Sequence, residues 1–245
     1  MKVSNNIKES YSNQYDISMI EWRKKAAYYK AKNIVELSRN IQFDSVLEVG
    51  SGEGSILYWL SQMGLSNNLN GLEISESGIE LTKSKQIEHL RSIQLFDGYK
   101  IPFDDDTFDL LICSHVMEHV EYERVLLREI KRVSKYQIFE VPIDFSFYVD
   151  KKVNYFLSYG HINIYTPALF RFLLKSEKFQ LKTDKCNLYE KEVLKHLFSS
   201  NKTGFYIIKI KHFILKMFPY LLGIKPSSYV VLTEKNEERL SILTK

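Results

Sequence analysis

Three glycines at alternate positions, Gly50, Gly52 and Gly54, close the apolar run Val46-Leu47-Glu48-Val49 and precede a helical-looking stretch over 55–63. Glycine at a strand-to-helix turn allows a tight bend and lets a ligand lie against the main chain. A dinucleotide fingerprint needs G-x-G-x-x-G, with the pyrophosphate on the helix N-terminus. Here the third glycine comes one place early, and Ser55 stands where that motif has glycine. No Gly-Lys-Ser/Thr follows, which removes the triphosphate-binding loop. Glu48 and Glu53 bracket the turn, Glu73 ends the next apolar run and Asp97 the one after. A mouth lined with carboxylates repels a pyrophosphate and suits a ligand that carries a sulfonium, an ammonium and a ribose diol. That ligand is S-adenosylmethionine, whose methyl group is already activated. Its acceptor mainly has to be placed in line and shielded from water.

A second set of residues could serve the acceptor. His115 follows the apolar run 108–113, where a parallel sheet would aim a methyl donor. Neutral imidazole titrates near working pH, so His115 can act as general base on a hydroxyl. Glu118 and His119 follow in the same turn, with a structural role as their alternative. His161, between Gly160 and Asn163, is expected to bind substrate or share the base role. Cys113 and Cys186 give neither a metal spacing nor a disulfide framework. Cys113 reads as a small buried side chain. Metal-independent transfer is expected.

These residues need a frame. Strands are expected over 45–49, 69–74, 93–96, 108–113, 137–141, 180–186 and 228–233. Helices are expected over 55–63, 78–85, 119–133 and 168–178, with Ser75–Ser77 able to cap the second and Pro167 at the start of the last. Strands alternating with helices of this length indicate an α/β, Rossmann-like parallel sheet with helices on both faces. Ahead of it, 17–38 has helical periodicity, with Ile20, Ala27, Ala31, Ile34, Val35 and Leu37 as its apolar face. Trp22-Arg23-Lys24-Lys25 interrupts that face. Either Trp22 packs on the sheet, or the helix is a lid from which Arg23 or Lys30 meets an anionic group. The stretch 143–165 is irregular and aromatic, too rich in rings to be disordered. The expected organisation is a helical cap over 1–40, a core over 41–189 and 225–245, and a helical insertion over 190–224. The ends, 1–12 and 234–245, read as polar and peripheral.

The chain has 245 residues, 44% hydrophobic and 26% charged, with net charge +4, which fits one soluble α/β domain with additions. That charge is too mild to argue for nucleic acid. The first ten residues have no apolar core, so no signal peptide is expected. With no disulfide framework, a reducing cytoplasm is the expected compartment. The segment 205–224 is apolar, but Lys209, Lys211, His212, Lys216 and Pro219 make a membrane span too costly. Packing on the domain or at a dimer seam is the plainer reading of its helix. Docking of 205–218 on an anionic membrane face, peripheral to the inner membrane, is the sharper one.

The motifs resemble those of the class I S-adenosylmethionine-dependent methyltransferases, in particular small-molecule methyltransferases of the ubiquinone-biosynthesis type. The resemblance runs from about Phe43 to Phe179. Val46 to Gly54 is similar to the family's first motif, and Gly71-Leu72-Glu73-Ile74-Ser75 to its second-strand acidic motif. Asp97 with Pro102-Phe103 resembles the adenine segment. Phe108-Asp109-Leu110-Leu111-Ile112 with His115-Val116-Met117-Glu118-His119-Val120 resembles the fourth-strand motif. The family implies a seven-stranded sheet with an antiparallel last strand and a pocket built from the N-terminal cap and the segments after strands four and five. It implies that Glu48 holds the methionine ammonium while Gly50, Ser51, Gly52 and Gly54 cradle the cofactor. Glu73 would accept the ribose hydroxyls, Ile74 pack on adenine, and Asp97 and Gly98 meet the adenine edge. Ser114, Trp22 and Arg23 complete the cofactor set, and S-adenosylhomocysteine is the product.

Trp22-Arg23, Glu140-Val141-Pro142 and Gly160-His161-Ile162-Asn163-Ile164-Tyr165-Thr166 resemble a subset from bacterial surface-polysaccharide (capsule or lipopolysaccharide) clusters. The leading expectation is therefore O-methylation of a small polar acceptor, phosphate- or nucleotide-bearing. Arg23, Lys24, Lys25, Lys151 and Lys152 are candidates for its phosphates. The alternatives are N- or C-methylation of a lipid-quinone precursor and a non-catalytic cofactor-binding subunit. Nucleic-acid modification ranks last, because the chain lacks an Asn/Asp-Pro-Pro-Tyr/Phe pattern. A monomer or a homodimer is expected.

Overall fold

The computed structural model describes residues 20–146, 148–199, 201–218 and 226–236. The expectations for 1–19, Pro219 and the tail beyond 236 lie outside the described residues. Seven strands form one sheet: β1 (Val46–Val49), β2 (Leu69–Glu73), β3 (Leu90–Leu95), β4 (Phe108–Ser114), β5 (Ser134–Pro142), β6 (Phe179–Asn187) and β7 (Ser228–Lys235). Their order is β3-β2-β1-β4-β5-β7-β6, with β7 antiparallel to both of its neighbours and the other pairings parallel. The strand order reverses between β1 and β4. In open α/β sheets, ligands bind outside the carboxyl ends of the strands at such a point.

Side chains alternate across the pleat, so each central strand feeds two cores. Leu47, Leu111, Phe139, Val141, Tyr229 and Val231 go to one face, where they meet Leu126, Leu127, Ile130, Phe170 and Leu174. Val46, Leu110, Ile112, Ile138, Val230 and Leu232 go to the other, where they meet Ala31, Ile34, Leu57 and Leu60. The helices supplying these residues are α1 (Ile20–Ser38), α2 (Ser55–Gln62), α4 (Glu123–Val133) and α6 (Pro167–Ser176), with α3 (Glu76–Ser84) beside β2 and β3. Ser75 caps α3, its Oγ accepting from the Gly78 amide at 3.2 Å. Thr166 caps α6, accepting from Leu169 N at 3.1 Å, with Pro167 in the first turn. The Ser75 cap and Pro167 at the start of α6 match the sequence expectation.

Several boundaries differ from the expected ones. The helix expected over 119–133 is split into a 3-10 turn, Met117–His119, and α4. The carbonyls that a continuous helix would use are taken from outside. Ile162 and Asn163 amides donate to Glu118 O at 2.9 and 3.0 Å. The Asn163 side-chain amide donates to Met117 O and Val120 O at 3.0 and 2.7 Å. The stretch 143–165 is not wholly irregular: it holds a 3-10 turn, Val149–Lys152, and α5 (Val153–Ser158). The insertion forms α7 (Lys191–Leu197) and α8 (Lys202–Met217). Trp22 does not lie on the sheet; it stacks on His196 of α7 with ring centroids 6.1 Å apart. Tyr29 donates to Glu192 at 2.9 Å, so α1 and α7 are tied together.

The far end of α6 is clamped to α4 by one buried carboxylate. Glu177 meets Arg124 Nη1 at 2.6 Å and Arg128 Nε at 2.9 Å. Burial alone would raise its pKa, but the two guanidinium groups outweigh burial and hold it below the usual carboxylate range. A depressed folded pKa gives stability that is present above the unfolded value of about 4.3 and is lost as pH falls through the folded value. Glu177→Gln should therefore destabilise by about 1–2 kcal/mol at pH 7, less than a fully buried pair because both arginines are partly exposed. Urea titrations should show that gap closing below about pH 4.

Candidate active site

The turn after β1 is pinned to β2. Gly50 N and Ser51 N both donate to Leu72 O, at 2.8 and 3.0 Å. Gly50 has φ +71°, and a Cβ there would sit 2.4 Å from Val116 Cγ2. Only glycine lets the β1 loop touch the β4 loop so closely. Gly54 is the left-handed N-cap of α2, at φ 79°. Glu73, 3% exposed at the tip of β2, crosses beneath the loop. Its Oε2 accepts from Gly52 N at 2.8 Å, and its Oε1 from Ser75 N and Oγ, each at 3.0 Å. Carboxylate, glycine loop and helix cap form one rigid unit. Ile74 packs at its edge, partly buried against the core.

Glu48 is 1% exposed, and its Oε2 has no hydrogen-bond partner. Burial pushes its carboxyl well above the usual range, Lys30 pulls the other way, and Glu53 and Glu73 add to the rise. Lys30 projects from α1 in register with the buried Ala27, Ala31 and Ile34. Burial lowers its pKa, opposed by Glu140, Glu118 and Glu48. Glu53 is turned away from the mouth into an ion pair with Lys85 of the segment after α3. Asp97 lies farther out, its Oδ1 accepting from Tyr99 N and Lys100 N at 2.9 and 2.7 Å in a local turn that buries Gly98. Arg23 and Trp22 lie on α1 toward α7.

The mouth beyond β4 is denser. Ser114 and Ser228 hydroxyls donate to Glu140 at 3.4 and 2.9 Å, so this buried acid is satisfied inside the sheet. His115 sits at φ 56°, outside the usual range for a residue with a side chain, and its amide bonds Glu140 O at 2.8 Å. The ring is thereby turned so that Nδ1 lies 3.4 Å from Glu118 Oε1. His119 Nδ1 meets Gly160 O at 2.9 Å, and His161 Nδ1 meets Asp144 Oδ2 at 2.7 Å. The two rings stand edge to face at 4.8 Å between centroids. Burial would lower the His161 pKa, but Asp144 and Glu118 outweigh burial and raise it. For His119 burial wins and lowers it. Tyr189, pushed up to about 12 by burial and by Asp144 and Glu140, adds a hydroxyl to this region.

The structure thus brings His115, Glu118, His119 and His161 together, and separately Glu48, Glu73 and the glycines. Sequence reasoning left Glu140, Asp144 and Tyr189 without a site role, and nothing in their spacing marks them. Lys30 was legible as a polar residue on an apolar helix stripe. Cavities of about 510 and 290 Å³ lie elsewhere, one behind residues 100–107, the other between α1 and α2 at Lys24, Lys25, Tyr28 and Trp59.

Residues 47–137 match the family model Methyltransf_11, a methyltransferase domain. The chain's sheet shares the fold of solved S-adenosylmethionine-dependent methyltransferases. The Bacillus subtilis protein YrhH, named as a methyltransferase, is 27% identical over 113 residues, covering 45% of this chain and 59% of its own length. The chain thus aligns with little more than half of that relative. Among solved structures, a chain from the complex of the Haloferax volcanii Trm112 methyltransferase activator with a methyltransferase superposes at TM-score 0.67. It is 13% identical, over 96% of this chain and 100% of that one. A SAM-dependent methyltransferase from Archaeoglobus fulgidus gives 0.60 at 19% identity, over 91% and 100%. At these identities the likeness is one of fold. No helix among the described residues is long and apolar enough to cross a membrane.

The matched segment carries in Glu48 a buried carboxylate that costs stability when ionised. A carboxyl whose folded pKa is raised weakens the fold progressively as pH rises above its unfolded value. Glu48→Gln should melt higher than wild type in ligand-free buffer at pH 8. The advantage should shrink as pH falls toward about 4.3. Differential scanning fluorimetry across pH checks this; a variant that melts lower throughout would contradict it.

Proposed function

We propose that the whole chain is an S-adenosylmethionine-dependent methyltransferase that O-methylates a small polar acceptor. The single observation that carries this reading is the unpartnered Glu48 Oε2 beside a glycine cradle. A buried acid without a partner fits the methionine ammonium, and the cradle leaves no room for a Cβ at Gly50. Glu73, aimed across the loop, fits the ribose diol through the remaining lone pairs of Oε2. The cofactor supplies an activated methyl group. The protein's part is to place the acceptor oxygen in line and to take its proton. His115 is the base in this reading, its Nδ1 facing Glu118 and its Nε2 left for the acceptor. As the bound cofactor would give its methyl group to the acceptor oxygen and keep the C–S electron pair, the acceptor proton would pass to the His115 imidazole. His161, with Asp144 behind it, lines the acceptor side of the mouth.

The polar mouth of His115, His161, Lys30 and Tyr189 supports a hydroxylated or anionic acceptor, and a sugar-derived precursor of a bacterial surface polysaccharide fits that description. Incubation with methyl-labelled S-adenosylmethionine and fractionated cell extract should yield a labelled product stable to mild base, as a methyl ether is. Cofactor binding with no labelled product in any fraction would instead favour the non-catalytic subunit.

One observation favours work at a membrane surface. In α8, His212 and Leu215 face inward and are buried, while Tyr206, Ile207, Ile210, Phe213, Ile214 and Met217 are exposed. At 100° per residue these six form one outward stripe, flanked by Lys202, Lys209 and Lys216 on one side and Lys211 on the other. The helix carries four lysines and no acid. That is the pattern of a helix lying in the interface of an anionic bilayer. Co-sedimentation with vesicles containing anionic phosphatidylglycerol should be strong at low salt and weaken as salt rises. Lys209→Glu with Lys216→Glu should reduce it further. Absence of binding at low salt removes this reading.

A further inference from the structure

We propose that Glu118, His119 and His161 form a binding site for one divalent transition-metal cation of the zinc kind at the acceptor mouth. The proposed role of the ion rests on the methyltransferase reading; the site itself does not. The two loops that meet there are fastened through their backbones. Ile162 N and Asn163 N bond Glu118 O, and the Asn163 side chain bonds Met117 O and Val120 O. Tyr165 Oη adds a bond to Met117 O at 3.2 Å. These bonds fix His161 against the Glu118–His119 turn before any ion is considered.

Three features of the side chains point to a cation. First, ligand atoms of Glu118, His119 and His161 lie within 4.8 Å of one another. Ligands bonded at about 2.1 Å to one tetrahedral ion are about 3.4 Å apart, so modest rotation of the two imidazoles closes the set. Second, each imidazole is already oriented from behind. The carbonyl of Gly160 can only accept, so His119 carries its proton on Nδ1 and leaves a lone pair on Nε2. Asp144 engages His161 Nδ1 in the same way and leaves Nε2 for the ion. Ligating histidines are usually held by such an outer shell. Third, Glu118 is 1% exposed, and neither of its side-chain oxygens has a hydrogen-bond partner. A buried carboxylate in that condition calls for positive charge. The nearest approaches, His115 Nδ1 at 3.4 Å and His119 Nε2 at 3.8 Å, are ion-pair distances.

Two imidazoles and one carboxylate suit zinc, iron(II), cobalt or manganese better than magnesium or calcium, which prefer oxygen alone. Three protein ligands leave a coordination position open beside His115. An acceptor hydroxyl there would lose its proton to His115 more readily and be held in line. The spacing of the sequence hid this arrangement because His161 lies on a separate loop from Glu118 and His119, and the expected metal-free transfer followed from that.

The test uses tag-free full-length protein, stripped with chelator and titrated with Co²⁺ as a spectroscopic probe. One Co²⁺ per chain should bind with visible d–d absorption and be displaced by Zn²⁺. His161→Ala should weaken Co²⁺ binding by at least about 100-fold, and Asp144→Asn, which touches the ion only through His161, by about 10-fold. Glu118→Gln should abolish the signal, but it alters a buried residue, so the partly exposed His161 decides the matter if that variant does not fold. Calorimetric binding of S-adenosylhomocysteine to each variant reports the cofactor berth separately. Absence of saturable Co²⁺ binding overturns the proposal, as does equal binding by wild type and His161→Ala. Either result would assign the charge opposite Glu118 to protonated histidine.

Discussion

Buried carboxylates at the carboxyl ends of neighbouring strands govern this structure. Glu48, Glu73, Glu118 and Glu140 are each 3% exposed or less, and they stand at or just beyond β1, β2, β4 and β5. Removing an ionised acid from water is costly unless donors or cations replace the water. The chain meets that demand in two ways. Glu73 and Glu140 are satisfied internally by amides and hydroxyls. Glu48 and Glu118 keep unpartnered oxygens, with Lys30 of α1 supplying the positive charge felt by both. Satisfied acids shape the floor, and the unsatisfied ones are those to which the proposed ligands are assigned.

The rest of the architecture serves that edge. Alternation along β1, β4, β5 and β7 sends apolar side chains to both faces, and the buried Gln137 and Thr233 among them bond each other. Chemistry is pushed to the strand tips, and the reversal of strand order between β1 and β4 opens a crevice there. The Gly50–Val116 contact brings the two walls of the crevice together. From the far side, residues 162–165 are fastened onto the β4 turn, which places His161 beside Glu118 although the two are distant in sequence.

The central fold was legible because its signals are local. Val46 to Gly54 announces strand, turn and helix within nine residues. Ser75 and Thr166 announce their caps. The apolar runs at 108–113 and 228–233 can only be buried strands. Misjudged features were those settled by distant partners. Residues 119–122 have helical propensity, but Asn163 and its neighbours bond the carbonyls of Met117, Glu118 and Val120. α8 has apolar residues on nearly every side, and the sequence does not reveal that His212 and Leu215 face inward while its larger apolar stripe faces out. The acids and glycines at the strand ends could be named in advance as the candidate cofactor set because their spacing is tied to those ends. Asp144 and Tyr189 could not be assigned with them, because only the packing of the loop segments brings them to the same mouth.

The account turns on whether the Glu48–Glu73 berth takes a cationic sulfur nucleoside. Calorimetric titration of the full-length protein with S-adenosylmethionine, S-adenosylhomocysteine and NAD⁺ tests that directly. Saturable one-to-one binding of the first two and no heat from the third is the predicted result. Binding of NAD⁺, with neither sulfur nucleoside bound, would contradict it.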